Sequence, residues 1–323
     1  MGFSQEIKEK ALEMGFSACG ITDAEAVSRE REKWYKKCLQ NGFHADMHYL
    51  ERNFEKRMNP SVLVEGTKSV IVVLLNYHNP DYQKNKKSSY SFSEYALGKD
   101  YHQVIKSKLF DLLDFIQKRH PDSSNRIFAG SAPVLEKYLA CKAGLGCIGK
   151  NTLLITPKGS YYFIGEIYTS VPLSYDAPFV EDYCLQCERC VKACPTGALS
   201  SPYNLDAGKC ISYHNIESKN EIPKEIRLKM GKQVYGCDIC QRVCPQNENA
   251  EPTCVPEFSI KKEFLEWTDT QWETMDAATF DLSFSDSALH RAGYGKVAGV
   301  ISLLFSKPAN SLHYSPIPQH FSE

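Results

Sequence analysis

The sequence predicts an α/β domain followed by a small cysteine-rich domain, and three observations predict it. A β-branched run, SVIVVLLNY at 69–77, lies between stretches of helical period. Eight of the 13 cysteines crowd into residues 184–245. The chain of 323 residues, 42% of them hydrophobic, can bury one large core and a smaller one.

Taken in order, residues 4–14 read as an amphipathic helix and 69–77 as a buried strand. Residues 79–93, rich in Lys, Ser, Tyr and Asn, read as a long loop. Residues 103–118 place Val104, Ile105, Leu109, Leu112, Leu113 and Ile116 on one helical face. Ala132–Ala143 reads as a helix with Pro133 in its first turn, and Tyr161–Tyr168 alternates as a strand does. Beyond Pro252, residues 261–305 read as short helices that offer Leu265, Trp267, Trp272, Leu282 and Phe284 for packing, and the Pro- and Ser-rich end reads as a loose tail. The expected division is 1–178, 179–250 and 251–323.

The N-terminal stretch MGFSQEIKEKALEMGFSACG carries charges throughout and no apolar core of signal-peptide length. The longest apolar runs, Val70–Leu75 and Val297–Phe305, are too short to span a bilayer. A cytoplasmic, monomeric protein without a membrane partner is expected, with its thiols reduced. The net charge of −1 neither predicts nor excludes a nucleic-acid partner, so any RNA site must be a local patch. Lys84, Lys86 and Lys87 beside Tyr82 and Tyr90 offer one such patch, against the alternative of a solvated loop.

The cysteines carry the chemistry. Cys184, Cys187, Cys190 and Cys194 with Pro195 form C-x2-C-x2-C-x3-C-P; Cys210, then Cys237, Cys240 and Cys244 with Pro245, form a second set. In two-cluster ferredoxins the fourth cysteine of such a run ligates the other cluster. Carried over, Cys184, Cys187, Cys190 and Cys244 hold one [4Fe–4S] cluster, and Cys194, Cys210, Cys237 and Cys240 hold the second. Zinc is the competing reading, since paired C-x2-C units suit a tetrahedral ion, but zinc sites show two separated pairs rather than a triple run ending in C-P. The other five, Cys19, Cys38, Cys141, Cys147 and Cys254, lack partner spacing and read mostly as small buried apolar groups, with Cys147 the one placed to touch a ligand.

Two polar stretches resist a packing explanation: Gly98-Lys99-Asp100-Tyr101-His102, and the glycine-rich Gly144-Leu145-Gly146-Cys147-Ile148-Gly149-Lys150-Asn151. Dense glycine lets backbone approach a ligand, although a tight turn needs the same residues. It is no phosphate loop, because Lys150 is not followed by Ser or Thr.

In their order, YLERNFEKRMNP, GKDYH, SAPVLEK, KAGLGCIGKNTLL, GSYYFIGEI, CISY and YGCDICQRVCP together with the first cysteine run resemble the epoxyqueuosine reductase family over roughly residues 10–250. The resemblance implies a nitroreductase-like α/β cobalamin-binding domain followed by a ferredoxin-like domain with two [4Fe–4S] clusters. It implies a cobalamin-dependent reductase that converts epoxyqueuosine to queuosine in tRNA, fed by a low-potential donor of flavodoxin or ferredoxin type. It also implies cofactor contacts at Arg57, Lys150, Asn151, Leu154, Ser160 and Ser212, and one cluster near the corrin, with the second set of cysteines expected to hold the outer one. Many family members continue into a helical-repeat extension that binds tRNA, whereas this sequence stops at Glu323.

Two departures stand out. The family reads D-S-A-P where this chain has Gly130-Ser131-Ala132-Pro133, so the acidic proton donor is absent at Gly130. Glu136 and the Asp100-Tyr101-His102 group are candidate replacements, each also explicable as an ordinary helix residue, and an aspartate restored at 130 is expected to raise turnover or leave it unchanged. Cys147 and Gln246 stand where the family has large aromatics, and are expected to widen the substrate or cofactor pocket. Two other functions compete: a corrinoid-dependent reductase of a small molecule, favoured by Gly130, and an electron-transfer iron–sulfur protein, for which the α/β domain is superfluous.

Overall fold

The computed structural model describes residues 2–305. At its centre lies strand β2 (Ser69–Asn76), flanked antiparallel by β1 (Ala18–Asp23) and β7 (Tyr162–Thr169), with β4 (Asn125–Phe128) on the far side of β7. Val70, Ile71, Val72 and Val73 favour the pleated conformation, and β2 reads as a continuous apolar run because both faces of the sheet are covered. Ile71, Val73 and Leu75 meet Ile7 of helix Phe3–Glu13 and Ile105, Leu109, Leu112 and Ile116 of helix Tyr101–Arg119. Val70, Val72 and Leu74 meet Leu139 and Ala140 of helix Glu136–Lys142 on the other face. Gly165 of β7 shows how closely helix and sheet approach, since a Cβ there would lie 2.7 Å from Ile105 Cγ2.

A second core has a different origin. Strands β3 (Ser91–Phe92) and β8 (Gln233–Tyr235) pair in parallel, and around them Tyr82, Tyr90 and Phe92 pack with Phe264, Trp272, Phe280 and Phe284. Residues 82–97 therefore belong to the core built by the C-terminal helices, and the expected division at 178 and 250 does not follow the packing. The stretch read as a loop at 79–93 contains helix Tyr82–Asn85 and β3, and is pinned by Asp269, whose carboxylate accepts from the Ser88 and Ser89 hydroxyls and the Ser89 N–H. Tyr82 and Tyr90 are fully buried, so neither ring is free to stack on a base, and Lys86 Nζ is spent on the carbonyls of Ser88 and Tyr90.

Two further elements differ from expectation. The helix expected from Ala132 begins at Glu136, because Gly130 takes a left-handed φ of +76° and Ser131–Pro133 continue the bend. Leu282, expected in the core, is 86% exposed, whereas Leu265, Trp267, Trp272 and Phe284 pack as expected. The expected loose tail, 306–323, lies outside the described residues. No helix among the described residues is long and apolar enough to cross a membrane.

Candidate functional site

All 13 cysteines are free thiols. Cys184, Cys187, Cys190 and Cys244 line one small cavity, together with Asn151, Ile155 and Gln246. Cys244, from the second motif, reaches it because the short helices Arg189–Ala193 and Ile239–Arg242 pack against each other. Cys194, Cys210, Cys237 and Cys240 gather separately: burial lifts the Cys240 thiol well above its ordinary range, and Cys237, Cys210 and Cys194 nearby lift it further. Cys194 moves the other way. Burial raises it, but N–H donors of Leu199, Thr196 and Ala198 and the Thr196 hydroxyl outweigh that and hold it below the usual thiol. Among the described residues no three cysteine sulfurs lie within 4.8 Å of one another. A tetrahedral zinc ion with bonds of about 2.3 Å needs thiolates only ~3.8 Å apart, so the spacing disfavours zinc.

Beside the second group opens a cavity of about 780 Å³, lined by Arg57, Tyr101, His102, Gly130, Glu136 and Arg291 among others. A second hollow of about 440 Å³, walled by Trp34, Tyr35 and Tyr138, adjoins it and shares Arg57 and Glu136. Arg57 is buried; its Nη2 donates to the Tyr49 carbonyl at 3.3 Å, while its Nε is buried with no partner. The Gly130 N–H donates to Glu136 Oε1 at 2.7 Å. Burial raises the Glu136 carboxyl above its ordinary value, against the lowering effects of that hydrogen bond and of Lys137.

Asp100 caps helix Tyr101–Arg119, accepting from the His102 N–H, and its Oδ1 lies 2.8 Å from His102 Nδ1. Burial alone would raise Asp100, but its bonds to His102 and the charges of His102 and Arg291 hold it below the usual range. With Nδ1–H assigned to Asp100, His102 Nε2 is left to accept from Arg291 Nη1 at 2.6 Å. His102 then has no proton aimed at the cavity. Arg291 arrives from the C-terminal helices, beyond the motifs, and nothing in its local sequence announces the contact.

Of the six residues implied as cofactor contacts, Arg57 lines the cavity and the other five line neither hollow. The glycine-rich loop turns toward the cysteines instead: the Lys150 N–H lies 3.3 Å from Cys184 Sγ, its Nζ donates to the Leu185 carbonyl, and Asn151 Nδ2 reaches the Cys240 carbonyl at 3.4 Å. Leu154 is core beneath helix Glu136–Lys142, Ser160 is buried between Asn247 and Gln241, and the Ser212 N–H is directed at the Cys210 thiol. Cys147 packs with Ile155, Cys184 and Cys244, and Gln246 lines the first thiol cavity, so these departures alter the cluster surroundings and not the large cavity.

The depth order is also the reverse of expectation. Tyr235, two residues before Cys237, and Ile216, after Cys210, line the large cavity, which places the second group inside. The first thiol cavity shares no lining residue with it, and Leu185, next to Cys184, is 72% exposed.

Comparison with known proteins gives one answer. Residues 57–131 match the family described as epoxyqueuosine reductase QueG (DUF1730), and residues 183–247 match the 4Fe-4S double cluster binding domain. The chain is 42% identical over 305 residues to the epoxyqueuosine reductase of Cellulophaga algicola, covering 93% of this chain and 97% of that one. Its fold superimposes with a TM-score of 0.85 and 29% identity on an epoxyqueuosine reductase solved with an epoxyqueuosine-modified tRNA-Tyr stem loop, covering 94% and 80% of the two chains. It matches equally well, at 28% identity and a TM-score of 0.85 over 94% and 81%, a Bacillus subtilis epoxyqueuosine reductase whose catalytic aspartate loop is swung out of the active site.

Proposed function

The chain belongs to the epoxyqueuosine reductase family, and from that premise we propose that it reduces epoxyqueuosine to queuosine in tRNA with electrons relayed through two [4Fe–4S] clusters. The observation that carries this reading is the juxtaposition of two four-cysteine groups with a cavity that holds Arg57, Gly130 and Glu136. The first cluster falls to Cys184, Cys187, Cys190 and Cys244, the second to Cys194, Cys210, Cys237 and Cys240. Opening the epoxide to an alkene consumes two electrons and two protons and releases water. One-electron clusters suit delivery of those electrons singly, from a low-potential flavodoxin- or ferredoxin-like donor meeting the exposed ground around Leu185.

Cobalamin fits the residues present: two adjoining hollows leave room for a macrocycle, and the buried Arg57 Nε has no protein partner. Bound there, it supplies a cobalt centre that takes up single electrons and acts as a strong reductant or nucleophile. Arg57 would hold its periphery. Around the cavity, Asp100 and Arg291 fix the His102 ring, and the Gly130 N–H fixes Glu136. Lys150 directs an N–H at Cys184, and Asn151 ties the loop at one cysteine group to the backbone of the other; these contacts serve the clusters.

The test is anaerobic turnover of the cluster-loaded chain with cobalamin, a low-potential reductant and an epoxyqueuosine-containing tRNA stem loop, with the digested nucleosides weighed by mass spectrometry. Loss of one oxygen from the modified base is the expected result. An unchanged base, with both clusters and cobalamin bound, would overturn the assignment.

A further inference from the structure

Glu166 sits in the middle of the central sheet, opposite Val72 of β2 and Phe128 of β4. The pleat aims it, like Tyr168 two residues on, at the face covered by helix Glu136–Lys142. Its side chain is fully buried, and neither carboxylate oxygen has a hydrogen-bond partner. A carboxylate cannot stay ionised in such a place without a cation or a donor, so Glu166 holds its proton. The ionisable group whose charge reaches it is Glu136, at the start of the overlying helix. Glu136 in turn opens onto the large cavity and is held by the Gly130 N–H, at the loop that carries no acid of its own.

We propose that Glu136 is the catalytic residue that delivers protons to the oxygen leaving the epoxide, and that Glu166 is the buried store from which Glu136 is reprotonated. The inference rests on the reductase reading above. Both C–O bonds of the epoxide break and a carbon–carbon double bond forms. Two electrons enter from the low-potential donor through the clusters, and two protons turn the oxygen into water. Glu136 gives the first proton and, recharged from Glu166, the second; solvent refills the pair through the open cavity.

The surroundings leave Glu136 without a rival. Lys137 and Tyr101 bear on it directly, and Arg57, His102, Glu217 and Arg291 face it across the cavity. His102 is committed to Asp100 and Arg291. Tyr168 is the other ionisable neighbour of Glu166. From the strands beneath the helix come Cys147, packed at the first thiol cavity, and Asp23, paired with Lys142 at the helix's far end. Burial raises both carboxyls, so the acid form that donates is present at low pH and is lost as pH rises past the raised value.

Infrared difference spectra of the cluster-loaded chain across a pH series, with turnover followed in parallel on the stem loop, test the pair. The wild type should show a protonated-carboxyl band at neutral pH that Glu166→Gln removes. Single-turnover rates should fall as pH rises. Glu136→Gln should lose at least about a hundredfold in rate and flatten the pH profile, with iron content and stem-loop affinity unchanged. Glu166→Gln should shift the apparent pKa of the rate. Absence of the band in the wild type, or a Glu136→Gln variant with unchanged rate and profile, overturns the proposal. A wild type that removes no oxygen sinks the reductase reading instead, while the carboxyl band still decides whether Glu166 stores a proton.

Discussion

Gly130 is where the sequence and the structure disagree most usefully. An aspartate there looks like a repair when only the motif is considered, yet the backbone holds φ +76°, and a Cβ would stand 2.8 Å from His102 Nε2. A left-handed conformation costs an L-residue about 1–2 kcal/mol, and the ring it meets is fixed by Asp100 and Arg291. Gly130→Ala and Gly130→Asp are therefore both expected to lose about that much stability in denaturant titration and to turn over more slowly, contrary to the gain that the motif suggests. Arg57 tests the opposite kind of position, one legible from its motif and found in the cavity with a donor unspent. Arg57→Met should weaken cobalamin binding about ten- to hundredfold, the worth of a charged hydrogen bond of about 1.5–3 kcal/mol, read from the cofactor's absorption on titration. The ligand cysteines are legible because their spacing is local. Glu166 and Arg291 are not, because a glutamate in a strand and an arginine after a helix acquire meaning only from what packs beside them.

Elements were legible where their period was strong. Strand β2 and helix Tyr101–Arg119 carry apolar residues at the spacing their geometry demands, and both fall within two residues of the expected bounds. Residues 79–93 misled because Lys, Ser and Asn dominate the local composition, while the aromatic residues that anchor the segment, Tyr82 and Tyr90, find their partners about 180 residues away on helices Lys262–Glu266 and Asp269–Glu273. Trp272 stands at the middle of that assembly, stacked on Phe284 at 5.6 Å and against Phe92 at 4.5 Å. Trp272→Ala should cost about 3–5 kcal/mol. Because β3 and β8 are tied into the same core, the loss should also expose the segment at 82–97 to proteolysis, which limited digestion with mass mapping will show.

At the scale of the molecule, the interleaved cysteines make the two clusters interdependent in position but separable in role. Cys244 closes the first group from within the second motif, and the second group lies beside the large cavity through Tyr235 and Ile216. Electrons from a protein donor must then cross the first cluster before the second, an order that spacing alone could not reveal because both motifs have the same form. Cys244→Ala and Cys237→Ala should each lose about half the iron of a chain carrying two four-iron clusters. Their activities should part company. A small soluble reductant can reach the inner cluster directly, so Cys244→Ala keeps turnover with such a reductant and loses it with a flavodoxin-type donor. Cys237→Ala, lacking the cluster beside the cavity, loses turnover with both. If instead Cys237→Ala survives on the soluble reductant and Cys244→Ala does not, the first cluster is the inner one, and the contacts of Tyr235 and Ile216 with the cavity have no part in electron delivery.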